Sequence, residues 1–177
     1  IILALASERA GHLFFASDRS VKAIETARKN AFRNHLEGAV HFFSGDWFAP
    51  LKKESHRFDM ILSNPPYIRT GDIPHLQPEI SEYEPVTALD GGADGLDAYR
   101  VIIPAARTYL AEGGMLLLEI GDDQKADIKE IIDACGCYEA VFFKKDYGRR
   151  NRVVQMKKSS LVPRLRLGTH TGGSASL

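Results

Sequence analysis

The sequence predicts an α/β fold with a mostly parallel sheet and an antiparallel last strand. Short apolar runs alternate with segments whose apolar residues recur at helical spacing, which is typical of a parallel sheet covered by helices on both faces. The last two apolar runs follow each other across a turn around Gly148, so we expect an antiparallel pair there. The chain has 177 residues, 44% of them hydrophobic, which is enough for one soluble domain with a substantial core.

The first part of the chain predicts two helices and two strands. The end of a helix (1–9) is followed by a strand (12–16, closing at Asp18), a helix (20–35) and a strand (40–44, closing at Asp46). Ser20 can cap the second helix, because a serine side chain accepts a hydrogen bond from the first turn. The apolar residues of that helix recur on one face; they are Val21, Ile24, Ala27, Ala31 and Phe32.

The second part begins with the apolar run 58–63, which predicts a buried strand. Pro65 and Pro66 have no N–H to donate to a sheet ladder, so the strand ends just before them. A long loop rich in proline and glycine follows to about residue 95. The rest of the sequence predicts a helix, a strand, a helix and the two final strands, at 97–110, 114–120, 124–135, 138–145 and 152–157.

Charge and cysteine usage narrow the class of partner. Lys plus Arg equals Asp plus Glu at 23 each, so no excess positive field holds a phosphate backbone, and nucleic acid is an unfavoured substrate. No apolar stretch is long enough for a membrane helix, which favours a cytoplasmic protein. Cys135 and Cys137 are too few for a zinc site and too close for an unstrained disulfide, so we expect thiols and no metal.

The tetrapeptide Asn64-Pro65-Pro66-Tyr67 carries the strongest functional signal. It follows a strand directly, and ligands of open α/β sheets bind at the carboxyl ends of strands. The prolines stiffen the loop and offer carbonyl oxygens without N–H groups, while the Asn64 amide offers both an acceptor and donors. This combination suits a bound amino or amide nitrogen. The alternative interpretation is a Pro-Pro turn that only ends a strand.

These residues resemble the signature of methyltransferases that use S-adenosylmethionine to methylate a planar nitrogen. The run 84–96 and the segment Asp46-Trp47-Phe48 resemble, more narrowly, the HemK/PrmC family of release-factor glutamine N5-methyltransferases. The resemblance extends from about residue 1 to residue 158. It implies a Rossmann-like class I methyltransferase fold, S-adenosylmethionine as cofactor, and peptide-chain release factors as protein substrates, methylated on the side-chain amide of the glutamine in their Gly-Gly-Gln motif.

The resemblance also implies which residues form the site. The cofactor-binding residues would be Asp18 for the ribose hydroxyls, Asp46 and Trp47 for the adenine, and Asn64. The substrate-binding residues would be Asn64, Pro65, Pro66 and Tyr67. Of these, Asn64, Pro65 and Tyr67 would be catalytic: Asn64 and Pro65 would accept the two N–H bonds of the target amide, and Tyr67 would close over its plane. Taken without the resemblance, Asp18 could equally stabilise a helix N-terminus, and Trp47 could belong to the core.

The chain departs from the family pattern at its beginning. It lacks the family's first strand, the glycine-rich loop that lets the cofactor approach the backbone, and the upstream helical domain. That strand is central in the family's sheet, between the strands at 12–16 and 58–63, so we expect both to lack a partner there. We expect a methyltransferase domain over 1–158 that is incomplete at its N-terminus and binds S-adenosylmethionine weakly or not at all. Residues 159–177 include Leu161-Val-Pro-Arg164, half of a thrombin site, and predict a disordered, vector-derived or read-through tail.

Two further hypotheses stay open. An exocyclic-amine methyltransferase acting on DNA or RNA, of the adenine N6 type, would use the same tetrapeptide. A catalytically inactive, protein-binding remnant would fit the missing glycine-rich loop. Glu119, a charged residue within an apolar strand, is expected to be paired or to lie near the cleft in a supporting role.

Overall fold

A computed structural model describes residues 1–9, 11–52, 57–81 and 83–160. The chain divides into two compact units, Ile1–Phe58 and Asp59–Leu177. The predicted tail falls outside the described residues from residue 161 onward. Ser159 still belongs to the described fold, because it is buried and its backbone N–H donates to the Cys137 carbonyl.

The first unit contains the elements that the sequence predicts. They are α1 (Ile2–Glu8), β1 (Phe14–Asp18), α2 (Val21–Arg33) and β2 (Val40–Ser44). The Ser20 side chain accepts a hydrogen bond from the Ala23 N–H at 3.3 Å, which confirms the predicted cap of α2. β1 and β2 pair in parallel, with Phe14 opposite Val40 and Asp18 opposite Ser44, so the two strands end side by side.

The second unit is built on a four-stranded sheet in the order β3-β4-β6-β5. The strands are β3 (Phe58–Ser63), β4 (Leu110–Glu119), β5 (Tyr138–Lys145) and β6 (Asn151–Lys158). β6 runs antiparallel to both β4 and β5, which confirms the predicted antiparallel last strand. The helices α5 (Asp97–Tyr109) and α6 (Lys125–Cys135) connect these strands.

The middle of this sheet is fully buried. Leu116 lies opposite Met156 and Leu118 opposite Val154, and all four side chains are fully buried. They pack with the apolar faces of the two helices, whose buried residues include Ile102, Ile103, Ala106, Ile128 and Ile132. Burying such apolar surface is the main favourable term in folding.

The predicted α/β fold with an antiparallel last strand is confirmed. Among the described residues, β1 pairs with β2 in one sheet, while β3 lies beside β4 in the other. The long connection between β3 and α5 is not one continuous loop. It contains a 3-10 helix (Thr70–His75) and the short helices α3 (Pro78–Ser81) and α4 (Val86–Leu89).

Two smaller expectations were wrong. β4 begins at Leu110 and not at residue 114, because Leu110 already has extended backbone and its carbonyl accepts a hydrogen bond from the Lys158 ammonium at 2.9 Å. Cys135 and Cys137 form a disulfide instead of two thiols. The left-handed backbone of Gly136 turns the chain so that their Cα atoms lie 5.2 Å apart, within the usual range for a disulfide.

The helices of the described residues have at most 13 residues each. None of them combines the length and the apolar character that a membrane span requires.

Candidate functional site

The carboxyl ends of β1 and β2 bring two acidic residues to one edge of the first unit. The backbone N–H of Gly45 donates to the Asp18 carbonyl at 3.0 Å, which ties the two strand ends together. Asp18 closes β1 and Asp46 follows β2, and both side chains are exposed. One oxygen of the Asp18 carboxylate accepts the Ser20 N–H at 2.7 Å, which supports the alternative interpretation of Asp18 as a residue that stabilises the start of α2.

Trp47 has an unusual backbone conformation at this edge. Its φ is +45°, a region that a bulky residue enters only at a cost and that recurs at functional sites. The turn is also tight: a Cβ on Gly45 would lie 1.9 Å from a Pro50 ring carbon. The Trp47 side chain is half-buried, so it is not a fully buried core residue. This turn therefore carries an indole ring and a carboxylate on two consecutive residues, Trp47 and Asp46.

The Asn64–Tyr67 loop begins where β3 ends, in the second unit. β3 closes at Ser63, as the two prolines predict. Pro65 is buried, Pro66 and Tyr67 are half-buried, and Asn64 is exposed. The buried proline anchors a loop whose first residue presents an amide side chain to solvent.

The hydroxyl group of Tyr67 joins a network of charged side chains. It donates to the Glu119 carboxylate at 3.3 Å and accepts a hydrogen bond from the Arg152 guanidinium at 3.2 Å. Arg152 in turn contacts the Asp146 carboxylate at 3.4 Å, and its distance to the Glu119 carboxylate is 4.0 Å. The expected pairing of Glu119 is therefore confirmed, and its partners include a residue of the tetrapeptide.

This environment keeps the Tyr67 hydroxyl protonated. Burial raises the pKa of Tyr67, the negative charge of Glu119 raises it further, and the positive charge of Arg152 opposes these effects without cancelling them. A phenol with a raised pKa is neutral at physiological pH, so it can donate a hydrogen bond but is a poor general base.

The backbone of the loop is fixed from behind by the buried side chain of Gln124. Its amide nitrogen donates to the carbonyls of Tyr67 and Gly95, each at 3.0 Å, and its amide oxygen accepts the Gly121 N–H at 3.0 Å. One side chain thus connects the tetrapeptide, the start of α5 and the start of the β4–α6 connection. Two of these bonds are buried and the one to Tyr67 is partly buried, so replacing Gln124 would leave unpaired polar groups.

Two glycines of the segment 89–95 make room for the same loop. A Cβ on Gly91 would lie 2.9 Å from the Pro66 carbonyl, and one on Gly95 would lie 2.5 Å from the Tyr67 carbonyl. Further along, the Ile68 N–H donates to Leu89 and the Gly91 N–H donates to Ile68, at 3.0 and 2.8 Å. The glycine-rich segment therefore packs against the backbone of the tetrapeptide and leads into α5.

Sequence reasoning identified the tetrapeptide and the pairing of Glu119, but it missed the roles of Gln124 and Arg152. The sequence predicts only that Gln124 begins a helix and that Arg152 begins the last strand. Nothing in the local sequence marks Gln124 as a support of the loop, since its partners are 29 and 57 residues away in the chain. Arg152 also had no distinctive signal, because β6 contains several other polar residues and the partner hydroxyl of Tyr67 is 85 residues away.

The predicted site residues thus fall into two groups, one in each unit. Asp18, Asp46 and Trp47 share the strand ends of the first unit. The tetrapeptide lies in the second unit with the residues that hold it. The roles of both groups in binding cofactor and substrate are predictions.

Comparison with known proteins gives a consistent picture. Residues 1–77 match the Methyltransferase small domain family. The chain is 43% identical over 158 residues to the "Release factor glutamine methyltransferase" of Agrobacterium fabrum, covering 89% of this chain and 53% of that protein. It is 44% identical over 143 residues to the protein of the same name from Geobacter sulfurreducens, covering 79% and 49%. The chain spans about half the length of these curated relatives.

Solved structures agree on the fold. A methyltransferase from Pyrococcus furiosus superposes with a TM-score of 0.61 at 22% identity, covering 88% of this chain and 68% of that one. The N-terminal domain of human METTL16, solved in complex with SAH, superposes with a TM-score of 0.58 at 19% identity, covering 87% and 55%. The chain therefore has the class I methyltransferase fold and is similar, over about half of their length, to proteins named release factor glutamine methyltransferase.

Proposed function

We propose that this chain is the catalytic region of an S-adenosylmethionine-dependent protein-(glutamine-N5) methyltransferase. Its substrate would be the side-chain amide of the glutamine in the Gly-Gly-Gln motif of peptide-chain release factors. The observation that carries the proposal is the Asn64–Tyr67 loop, held in place by Gln124 and Glu119, in a chain at least 37% identical to the release factor glutamine methyltransferases described above and to others of that name. Because release factors act on ribosomes, we also propose a cytoplasmic location.

The first unit supplies side chains that fit the cofactor. The exposed carboxylates of Asp18 and Asp46 end adjacent parallel strands, and carboxylates accept hydrogen bonds from ribose hydroxyls and from an adenine amino group. The half-buried Trp47 indole offers a face for stacking on the purine. These three residues would hold the nucleoside, and Asn64 would contact the methyl-bearing end. When bound, S-adenosylmethionine supplies an activated methyl group on a positively charged sulfur.

The tetrapeptide would orient the nucleophile. In our proposal the Asn64 side-chain oxygen and the Pro65 carbonyl accept the two N–H bonds of the substrate amide, and Pro66 keeps the backbone rigid. The amide nitrogen is then aimed for an in-line displacement, in which alignment and desolvation are the main requirements. The same two acceptors stabilise the positive charge that develops on nitrogen during transfer.

Tyr67 would contribute a ring and not a base. Its raised pKa keeps the hydroxyl neutral, and the hydroxyl is already engaged by Glu119 and Arg152. The half-buried ring is therefore available to cover the plane of the substrate amide and to exclude water from it.

The alternatives have less support. An exocyclic-amine methyltransferase acting on DNA or RNA would need a basic surface, and the chain has equal numbers of basic and acidic residues. An inactive protein-binding remnant would have no use for exposed acidic side chains at the ends of β1 and β2. A cofactor-binding measurement separates this last hypothesis from both enzyme hypotheses.

The test is calorimetric titration of S-adenosylhomocysteine into the chain, with Asn64→Ala as the matched variant. We expect measurable but weak binding that falls further in the variant, because Asn64 contacts the reacting end of the cofactor. The same proteins are then incubated with S-adenosylmethionine and either a release factor or a variant in which the Gly-Gly-Gln glutamine is alanine. Mass spectrometry should find one added methyl group on the first substrate alone. A chain that binds cofactor but methylates only an RNA or DNA oligonucleotide would refute the proposal.

A further inference from the structure

We propose that Arg152 is a positioning residue, which fixes the ring of Tyr67 through its hydroxyl group. The inference rests on the proposed function, since it concerns how that ring faces the substrate amide. Arg152 lies in β6, 85 residues from Tyr67 in the chain, and neither the tetrapeptide nor the family resemblance assigns it a role.

The hydrogen bonds of the Tyr67 hydroxyl have a fixed direction. A guanidinium can only donate and an ionised carboxylate can only accept. The Arg152 Nη1 atom donates to the hydroxyl at 3.2 Å, and the hydroxyl donates to Glu119 Oε1 at 3.3 Å. The hydroxyl thus has one charged partner on each side, of opposite sign. Rotation of the ring away from this position would break two charge-assisted hydrogen bonds at once.

Arg152 is itself held from the opposite direction. Its Nε and Nη2 atoms both lie 3.4 Å from Asp146 Oδ2, so two guanidinium nitrogens share one carboxylate oxygen, which the single nitrogen of lysine cannot reproduce. Asp146 is fixed in turn, because its carboxylate accepts the Arg150 N–H at 3.0 Å within the β5–β6 turn. The Arg152 side chain is 32% exposed, so solvent screens these charges only in part. The turn, Arg152 and Tyr67 form one continuous chain of contacts.

A purely structural role would not need the hydroxyl group. A phenylalanine at position 67 would fill nearly the same volume without the cost of partly burying a polar group. The ion pairs of Arg152 with Asp146 and Glu119 would also persist without it. The arrangement is therefore better explained by a requirement for one ring orientation, as expected where a side chain must cover a planar substrate.

The first experiment follows Tyr67 directly and needs no enzyme activity. The chain is labelled with [13Cζ]tyrosine, and the Tyr67 resonance is assigned by its loss in Tyr67→Phe. In Arg152→Gln we expect a higher pKa for Tyr67, because a neighbouring positive charge is removed. In Glu119→Gln we expect a lower one, because a negative charge is removed. Arg150→Gln, an exposed arginine in the same turn, is the control and should leave the resonance unchanged.

The second experiment is a double-mutant cycle in methyl transfer to release factor. Arg152→Gln and Tyr67→Phe should each lower kcat by about tenfold, with the KM for S-adenosylmethionine unchanged. The double variant should be no slower than either single variant, because both remove the same anchor. Arg152→Lys should be faster than Arg152→Gln but slower than the unsubstituted chain, since the single nitrogen of lysine cannot contact Asp146 and Tyr67 as the guanidinium does. All rates are compared at a temperature where each variant is folded by circular dichroism.

The outcomes are separable from the fate of the proposed function. Additive losses in the cycle, or a Tyr67 pKa that does not change in Arg152→Gln, would overturn the inference. If the unsubstituted chain transfers no methyl group, the proposed function fails, and the titration of Tyr67 still decides whether Arg152 fixes its hydroxyl. Opposite shifts in the two variants would then support the contact, and unchanged values would refute it.

Discussion

At the scale of single residues, the tetrapeptide depends on glycines that lie far from it in sequence. Gly95 has a φ of +77°, and its Cα sits where a side chain would meet the Tyr67 carbonyl and the Gln124 amide nitrogen. Both a left-handed backbone and close approach of another backbone favour glycine. The requirement at position 95 is therefore double, conformational and steric.

Substituting Gly95 by alanine should strongly lower the unfolding free energy of this protein. We expect a loss of about 1–2 kcal/mol in unfolding free energy from the left-handed backbone and about 1–3 kcal/mol more from the overlap with Tyr67 and Gln124. Chemical denaturation monitored by circular dichroism measures the total.

Gly136→Ala is the matched control for this prediction. Gly136 also has a positive φ, +60°, but a Cβ there would meet nothing within 4 Å. It should therefore show only the backbone contribution. Equal losses in the two variants would mean that the approach to Tyr67 is not tight in solution.

At the scale of elements, helix α5 is stabilised at its start by a charged fork. Arg100 donates to both oxygens of Asp94, and the same carboxylate accepts the Leu96 N–H at 3.1 Å. The side chains are half exposed, so this pair contributes little to global stability. Its effect is local: it joins the glycine-rich segment behind the tetrapeptide to the helix that follows.

The Asp94–Arg100 pair should give this junction a defined pH dependence. The hydrogen bond from Arg100 is the largest of the causes that lower the pKa of Asp94 to about 2. A lowered folded-state pKa means that the contribution is complete above the unfolded value, near pH 4, and is lost as the pH falls toward 2. Carboxyl carbon NMR should therefore show Asp94 titrating near pH 2.

Arg100→Gln tests the cause of that shift. The Asp94 pKa should return toward the ordinary aspartate range, and backbone amides at the start of α5 should exchange faster between pH 4 and pH 2. An Asp94 pKa that is as low in Arg100→Gln as in the parent would assign the shift to the backbone contacts instead.

At the scale of the whole molecule, the buried apolar residues are unevenly distributed. Among the described residues, the first unit contributes four, Ala6, Ile24, Ala31 and Val40, and all others lie in the second unit. The first unit also has a two-stranded sheet, and isolated two-stranded pairs are marginally stable in water. Burial therefore predicts that the two units differ in local stability.

Amide hydrogen exchange should resolve this difference. Amides in the middle of β4 and β6, such as those of Leu118 and Val154, should exchange about tenfold or more slowly than those of Phe15 and Phe42 in β1 and β2. Addition of S-adenosylhomocysteine should slow exchange in β1 and β2 if the cofactor binds at their carboxyl ends. Equal exchange in the two units would show that they unfold as one cooperative body.

The elements and the tetrapeptide could be predicted because their signals are local. Pro65 and Pro66 end a strand whatever surrounds them, and Ser20 caps α2 through an N–H three residues away. Apolar spacing likewise located the long helices and the six strands of the described residues, within a few residues. The start of β4 was misplaced because it has no local signal. The contact of its first residue, between the Leu110 carbonyl and the Lys158 ammonium, joins residues 48 apart.

The sequence alone indicated which residues could orient a planar nitrogen: an asparagine at a strand end, followed by two prolines and a tyrosine. Only the tertiary structure decided how that loop is held. Gln124, Gly95, Glu119 and Arg152 converge on Tyr67 from four different segments, and of these a local pattern marks Glu119 alone, without naming its partner. The physical reason is that hydrogen bonds and steric contacts depend on distance in space, whereas propensity and periodicity depend on neighbours in the chain.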